Sequence, residues 1–164
     1  MTRLPPISED KLTASQTKVL EAIKNSPRGN IPMTGPFGVW LRAGNIGDAI
    51  QNLGASLRYG TTLDENVKEF AICVVGHHYK AKFEFAYHER LALKFGISEE
   101  ILNDLKNNDT PSFTEEKLNL TYQISKQLLD THLISDELYQ QGFDEFGEQG
   151  MIELVSLVGY YCLV

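Results

Sequence analysis

Apolar residues recur along most of the chain at the three- and four-residue spacings of amphipathic helices. The pattern predicts helices over residues 11–25, 45–59, 64–79, 82–95, 99–107, 115–131 and 136–146. The apolar stretch 151–164 predicts a last helix that must be surrounded by other chain segments. No segment shows the two-residue alternation of a strand, so we expect an all-α bundle of roughly seven helices.

Several predicted helix ends carry the residues that usually cap helices. Gly60 and Gly96 follow predicted helices as stop signals, because glycine accepts the backbone conformation of a helix C-terminus. Ser98, Thr114 and Ser135 precede predicted helices as N-caps, because their hydroxyl groups accept hydrogen bonds from the first free amides. These signals favour short connections between neighbouring helices.

The segment 33–45, MTGPFGVWLRAGN, alternates glycine and proline with large apolar side chains. Glycine and proline punctuate regular structure, so this segment is predicted to be a loop. Its aromatic side chains, Phe37 and Trp40, either dock into the core or form the wall of a pocket. The helix that follows is expected to bury an apolar stripe consisting of Ile46, Ile50, Leu53 and Leu57.

Composition limits the class of protein. The chain has 164 residues, 42% of them hydrophobic and 23% charged, as expected for one globular domain over 11–164 after a tail, 1–10. Its net charge of −7 argues against a nucleic-acid partner. We expect no membrane span and no secretory signal, and the distant Cys73 and Cys162 are typical of reduced thiols. The prediction is a cytoplasmic protein.

Candidate chemistry is concentrated between residues 69 and 96. Glu69, Cys73 and His77 are four residues apart and therefore share one side of a predicted helix. Glu84 and His88 have the same spacing on the next predicted helix. A carboxylate beside an imidazole is a common arrangement for moving a proton near neutral pH.

This region resembles the carboxymuconolactone decarboxylase family, whose superfamily includes the alkylhydroperoxidase D proteins. The resemblance extends from about Thr34 to Val164 and is most specific in the block FEFAYHERLALKFG, in Glu69-x-x-Ile72 and in the closing ELVSLVGYY. It implies an alkylhydroperoxidase D-like helical bundle that assembles as a homotrimer or homohexamer. An apolar last helix without a C-cap also predicts an oligomer, or a chain that continues beyond Val164.

The sequence departs from the peroxidase branch of this superfamily. Ala81 and Glu84 occupy the places of that branch's two cysteines, and Phe83 that of the histidine between them. A thiol peroxidase needs a thiolate and usually a resolving thiol, so peroxidase activity is disfavoured. The element Phe83-Glu84-Phe85 and His78 match the decarboxylase branch instead.

The resemblance implies decarboxylation of, or proton transfer to, a small unsaturated lactone or carboxylic acid, without metal or organic cofactor. His88 would then deliver a proton to carbon, while Glu69 or Glu84 would orient the imidazole and stabilise its protonated form. The expected substrate-binding residues are Arg58 for a carboxylate, His78, and Trp40 and Phe37 to exclude water.

Three alternatives stay open from sequence. Each candidate residue also has a purely structural explanation, which leaves a non-catalytic binding or interaction protein of the same fold. Cys73 alone would be the nucleophile of any residual peroxidase activity, although a buried apolar role is expected for it. A metal held by Glu84, His88 and either His77 or Glu69 is not expected, since no metal-binding signature accompanies them.

Overall fold

The structure is a computed structural model that describes residues 4–5 and 7–164. Over these ranges the protein is all-α: a short 3-10 turn is followed by eight α-helices, and no strand is present. The α-helices are α1 (Ala14–Lys24), α2 (Gly35–Arg42), α3 (Asn45–Tyr59), α4 (Glu65–His78), α5 (Lys82–Lys94), α6 (Glu99–Asn107), α7 (Glu116–Thr131) and α8 (Asp136–Leu163). The predicted all-α class is confirmed.

The predicted tail, 1–10, falls partly outside the described residues, and within them Glu9–Lys11 form the 3-10 turn. The chain divides into two compact units, an N-terminal unit ending at Gly60 and a C-terminal unit beginning at Thr61. The single domain predicted over 11–164 stays a prediction. Across the described ranges no helix is both long and apolar enough to cross a membrane.

The N-terminal unit contains α1, α2 and α3, which pack on one another. Thr13 begins α1 with a capping box, in which its side chain and that of Gln16 each accept a backbone hydrogen bond. The core of this unit is a small cluster of fully buried apolar side chains: Val19, Leu20, Ile23 and Leu41.

Two predictions for this unit are wrong. The segment predicted to be a loop contains the two-turn helix α2, because Pro36 lies in its first turn, where proline needs no amide partner. The predicted stripe of α3 is also incorrect at two positions, since Ile46 and Leu53 are 66% and 50% exposed. Leu57 of the predicted stripe is buried, and the other buried residues of α3 are small or polar: Gly47, Gln51 and Gly54.

The C-terminal unit is built around α4, which contacts α5, α6, α7 and α8. Ten consecutive residues of α4, from Val67 to Gly76, are buried. A helix covered on every side cannot show a simple amphipathic stripe, because every face meets protein. Two charged residues of α4, Lys68 and Glu69, therefore lie inside the unit, where each needs a partner.

The predicted bounds of the later helices agree with the structure to within about two residues. Ser98 and Ser135 cap α6 and α8 through hydrogen bonds to backbone amides, as predicted. Thr114 does not cap α7, whose N-cap is Glu115. The two predicted helices at the C-terminus form one element interrupted at Gly147, where φ is 70° and ψ is 178°, a conformation essentially restricted to glycine.

Candidate active site

The centre of the candidate site is a buried hydrogen bond between α4 and α5. Glu69 on α4 has no exposed side-chain surface, and the side chain of His88 on α5 is only 3% exposed. The distance between His88 Nδ1 and Glu69 Oε2 is 2.6 Å. A short hydrogen bond to a carboxylate selects the ring form in which Nδ1–H donates to Glu69.

The second ring nitrogen of His88 faces a second carboxylate. Nε2 of His88 lies 3.7 Å from Oε2 of Glu84, one helical turn earlier on α5. The Glu84 side chain is 15% exposed, so it is the member of the group nearest to solvent. We name these three residues the relay cluster: Glu69, His88 and Glu84. The structure thus brings together all three side chains that the sequence analysis predicted as candidate catalytic residues.

Two aromatic rings fix the plane of the His88 imidazole. The ring of Tyr161, on α8, meets it edge-on at 5.2 Å with an interplanar angle of 86°. The neighbouring Tyr87 ring lies at 5.1 Å and 78°. Such edge-to-face contacts restrict ring rotation and keep both nitrogens aimed at the carboxylates. Sequence reasoning missed Tyr161, because nothing local links it to a residue 73 positions earlier.

A buried lysine adjoins the relay cluster in sequence. Lys68 is 2% exposed, and its ammonium group lies 2.7 Å from Oε1 of Glu65. Sequence reasoning missed Lys68 because a lysine in a helix is usually solvated. Its signal was its place, beside Glu69, within an otherwise apolar stretch of α4.

Cys73 lies one turn after Glu69 on α4 and is completely buried, which confirms its expected apolar role. Burial, followed by the negative charge of Glu69, raises the pKa of the Cys73 thiol far above its ordinary value. The thiolate is the reactive form of cysteine. The structure therefore gives Cys73 neither the access nor the ionisation that a peroxide-reducing nucleophile needs.

Three of the residues predicted to bind substrate belong to the N-terminal unit. The rings of Phe37 and Trp40 on α2 meet edge-on at 5.0 Å, and Trp40 is buried within that unit. Arg58, in the last turn of α3, stacks its guanidinium 5.8 Å from the centre of the Tyr59 ring. Their substrate-binding roles stay predictions.

The fourth predicted binding residue, His78, lines a cavity of about 670 Å³ in the C-terminal unit. Its Nδ1 lies 3.7 Å from a carboxylate oxygen of Asp130. His77 also lines the cavity, and its Nε2 is 3.1 Å from Oδ1 of Asn108. None of the relay residues is part of the cavity wall, so this cavity and the relay cluster are separate features.

Within the described ranges, no three His, Cys, Asp or Glu side chains are arranged to hold a metal ion. The acidic and basic groups of the relay cluster instead satisfy one another. Comparisons of the chain with protein-family models, with curated proteins and with solved structures found no match.

Proposed function

We propose that the protein is an enzyme that transfers a proton to carbon, without a cofactor, during decarboxylation of a small unsaturated lactone acid or a related carboxylic acid. The observation that carries this proposal is the arrangement of His88 between the buried Glu69, at 2.6 Å, and the partly exposed Glu84, at 3.7 Å. The resemblance to the carboxymuconolactone decarboxylase family supports the same chemistry.

The burial gradient in the relay cluster supports a division of roles. Glu69 and His88 are inaccessible to a ligand, whereas Glu84 has exposed surface. In the proposed mechanism a protonated Glu84 delivers its proton to the substrate, and His88 Nε2–H then reprotonates Glu84. Glu69 holds the imidazole in place and stabilises its charged form. This assigns contact with substrate to Glu84 rather than to His88.

The proposed reaction balances in atoms and charge. The bond between the substrate's carboxylate carbon and its neighbour breaks, carbon dioxide leaves, and the electron pair spreads onto the conjugated carbonyl of the lactone. A proton from Glu84 then forms the new carbon–hydrogen bond, and a proton from water restores the relay cluster. One proton is consumed for each carbon dioxide released.

The test is turnover of 4-carboxymuconolactone, measured by ultraviolet absorbance and carbon dioxide release in parallel. Glu84→Gln keeps the volume of the side chain but removes its acid, and we expect kcat to fall by about 10²- to 10⁴-fold, the usual contribution of a general acid. Glu100→Gln, at an exposed carboxylate in α6, is the matched control and should retain full activity.

A reaction in D₂O should place one deuterium on the carbon that lost carbon dioxide. His88→Gln should lower kcat as Glu84→Gln does, with circular dichroism showing that each variant is folded. If the folded parent protein releases no carbon dioxide from this lactone or from related unsaturated acids, the proposed reaction is wrong. If Glu84→Gln turns over at the parent rate, the role assigned to Glu84 is wrong.

A cytoplasmic location and assembly as a homotrimer or homohexamer are further parts of this proposal. The resemblance and the exposed apolar residues on the second half of α8 support self-association; these are Ile152, Val155 and Leu163. Peroxidase activity receives no support from the buried, protonated Cys73.

A further inference from the structure

The cavity of the C-terminal unit has a charge opposite to that of the whole protein. The chain carries a net charge of −7, yet the cavity wall contains four lysines and two histidines against one carboxylate, that of Asp109. The lysines of the wall are Lys80, Lys82, Lys106 and Lys126. We propose that this cavity, named here the basic cavity, binds a small organic anion with an apolar body.

Two of the four ammonium groups are already neutralised by neighbours. Lys126 pairs with Asp130 at 2.5 Å, and Lys106 forms an ion pair with Glu89. Lys80 and Lys82 are exposed and form no ion pair with any residue in the described part of the chain. The basic cavity therefore keeps an excess of positive charge that an anion can use.

The backbone at Lys80 is unusual for a lysine. Helix α4 ends in a Schellman motif, with the amide of Ala81 donating to the carbonyl of Gly76 at 2.8 Å and that of Lys80 donating to His77 at 3.0 Å. The residue at the position of Lys80 has a φ of 54°, in the left-handed region where glycine is the usual choice. Glycine would adopt this backbone conformation without strain, yet the chain has a lysine at this position. The Lys80 side chain lines the basic cavity.

The start of α5 supplies a second favourable feature for an anion. Lys82 is the first residue of α5, and Ala81 before it provides no side-chain cap. The amides in the first turn of a helix lack partners within the helix and carry partial positive charge. Lys82 belongs to the cavity wall, so this turn begins at the wall itself; the amide of Lys82 already donates to the carbonyl of Lys80 at 3.0 Å, which leaves the next amides of the turn for a ligand.

Cations at helix C-termini also complement the helix dipole, which would account for His77, His78 and Lys106 at the ends of α4 and α6. That explanation does not extend to Lys82, which begins a helix. Lys126, inside α7, has a partner of its own in Asp130. An anionic ligand in the cavity accounts for Lys82 and for its position beside Lys80.

The remaining wall defines the rest of the ligand. Its apolar part consists of Val74, Phe85, Leu105, Tyr122 and Leu129. The volume of about 670 Å³ lies within the range of pockets for small metabolites. The ligand class is therefore a compact, ring-sized apolar body with one or two carboxylate or phosphate groups. This inference does not rest on the proposed decarboxylation, because binding without turnover would satisfy it.

Isothermal titration calorimetry with isophthalate and phenyl phosphate tests the inference, with uncharged isophthalamide as the neutral analogue. We expect both anions to bind, more weakly as salt is raised, and isophthalamide not to bind. The anion that binds with the higher affinity would identify the head group as carboxylate or phosphate.

Lys80→Gly and Lys82→Gln should each weaken anion binding by roughly fivefold or more, the usual effect of losing one charged contact. Lys80→Gly should at the same time raise the thermal midpoint, since glycine suits the positive φ. That opposite response separates lost binding from lost folding. Lys94→Gln, at an exposed lysine of α5 outside the cavity wall, is the matched control and should leave affinity unchanged.

Three results would overturn the inference. One is the absence of binding of either anion at millimolar concentration by the folded protein. Another is equal affinity for isophthalamide, which would show that charge has no role. The third is unchanged affinity in both Lys80→Gly and Lys82→Gln.

Discussion

At the scale of single residues, Glu69 and His88 depend on each other. Both are buried, and an ionisable group left without its partner inside a protein costs about 3–5 kcal/mol of stability. Substituting either residue therefore affects folding as well as any chemistry. Glu84 is partly exposed, so its substitution tests its proposed role as an acid with less effect on folding.

Glu153 shows how one carboxylate holds a loop to α8. The backbone amide and the hydroxyl of Thr62 both donate to Glu153 Oε2 at 2.8 Å, and Gln149 donates to Oε1 at 2.8 Å. Burial alone would raise the pKa of Glu153. The hydrogen bonds outweigh that effect and hold the pKa below its ordinary value of 4.5.

A carboxylate whose pKa is lower in the folded state than in the unfolded state stabilises the protein at pH values above its unfolded-state pKa. This stabilisation is lost as the pH falls through its folded-state pKa. We therefore expect Glu153→Gln to lower the free energy of unfolding by about 1 kcal/mol at pH 7, a value discounted for partial exposure. The difference from the parent should shrink as pH falls below about 4.5 and vanish in stronger acid.

Urea denaturation at a series of pH values measures this difference. Glu148→Gln, at an exposed carboxylate in α8, is the control and should follow the parent protein at every pH. A difference that grows on acidification would contradict the assignment of a stabilising charge to Glu153.

At the scale of elements, the contact between α2 and α3 depends on a glycine. A Cβ atom at Gly47 would lie 1.9 Å from the carbonyl oxygen of Trp40, a distance that only backbone movement could relieve. Gly47 is therefore required for the close packing of α3 on α2. Other glycines, Gly35, Gly38 and Gly44, led the sequence pattern to be interpreted as a loop over α2.

Gly47→Ala should destabilise the N-terminal unit by about 3 kcal/mol or more, despite the better helix propensity of alanine. Trp40 is the only tryptophan in the chain, so its fluorescence during urea denaturation reports on this unit directly. Ala49→Gly, at an exposed residue of α3, tests helix propensity alone and should cost about 1 kcal/mol. If Gly47→Ala lowers the free energy of unfolding by less than Ala49→Gly does, then α2 and α3 can separate at little cost.

At the scale of the whole molecule, apolar surface is left open on the second half of α8. Ile152, Val155 and Leu163 are 62%, 38% and 58% exposed, and their spacing places them along one face of the helix. The sequence predicted that this helix is surrounded. The chain itself covers only its other face, which contains Met151, Leu154, Leu157 and Val158.

If copies of the chain cover the open face, the parent protein should have a mass of three or six times 18.4 kDa by light scattering. The double substitution of Ile152 and Val155 by glutamate should reduce that mass to one chain, because charge is not tolerated in an apolar interface. Leu133→Glu, at an exposed apolar residue outside α8, is the control and should leave the mass unchanged. A monomeric parent protein would contradict the predicted assembly.

The sequence alone determined the helical class, most helix bounds and the three members of the relay cluster. These follow from local rules, since periodicity marks helices, serine caps mark their starts, and a four-residue spacing puts Glu84 and His88 on one side of α5. The pairing of Glu69 with His88 across two helices came from the family resemblance and not from spacing.

Only the tertiary structure decided what depends on contacts between distant segments. It brought Tyr161 against His88, buried Lys68, and turned a glycine-rich segment into the packed helix α2. It also gathered lysines from α5, α6, α7 and the α4–α5 turn around one basic cavity within an acidic protein. A linear pattern records neither the distance between segments nor the burial that their packing creates, and these quantities define both candidate sites.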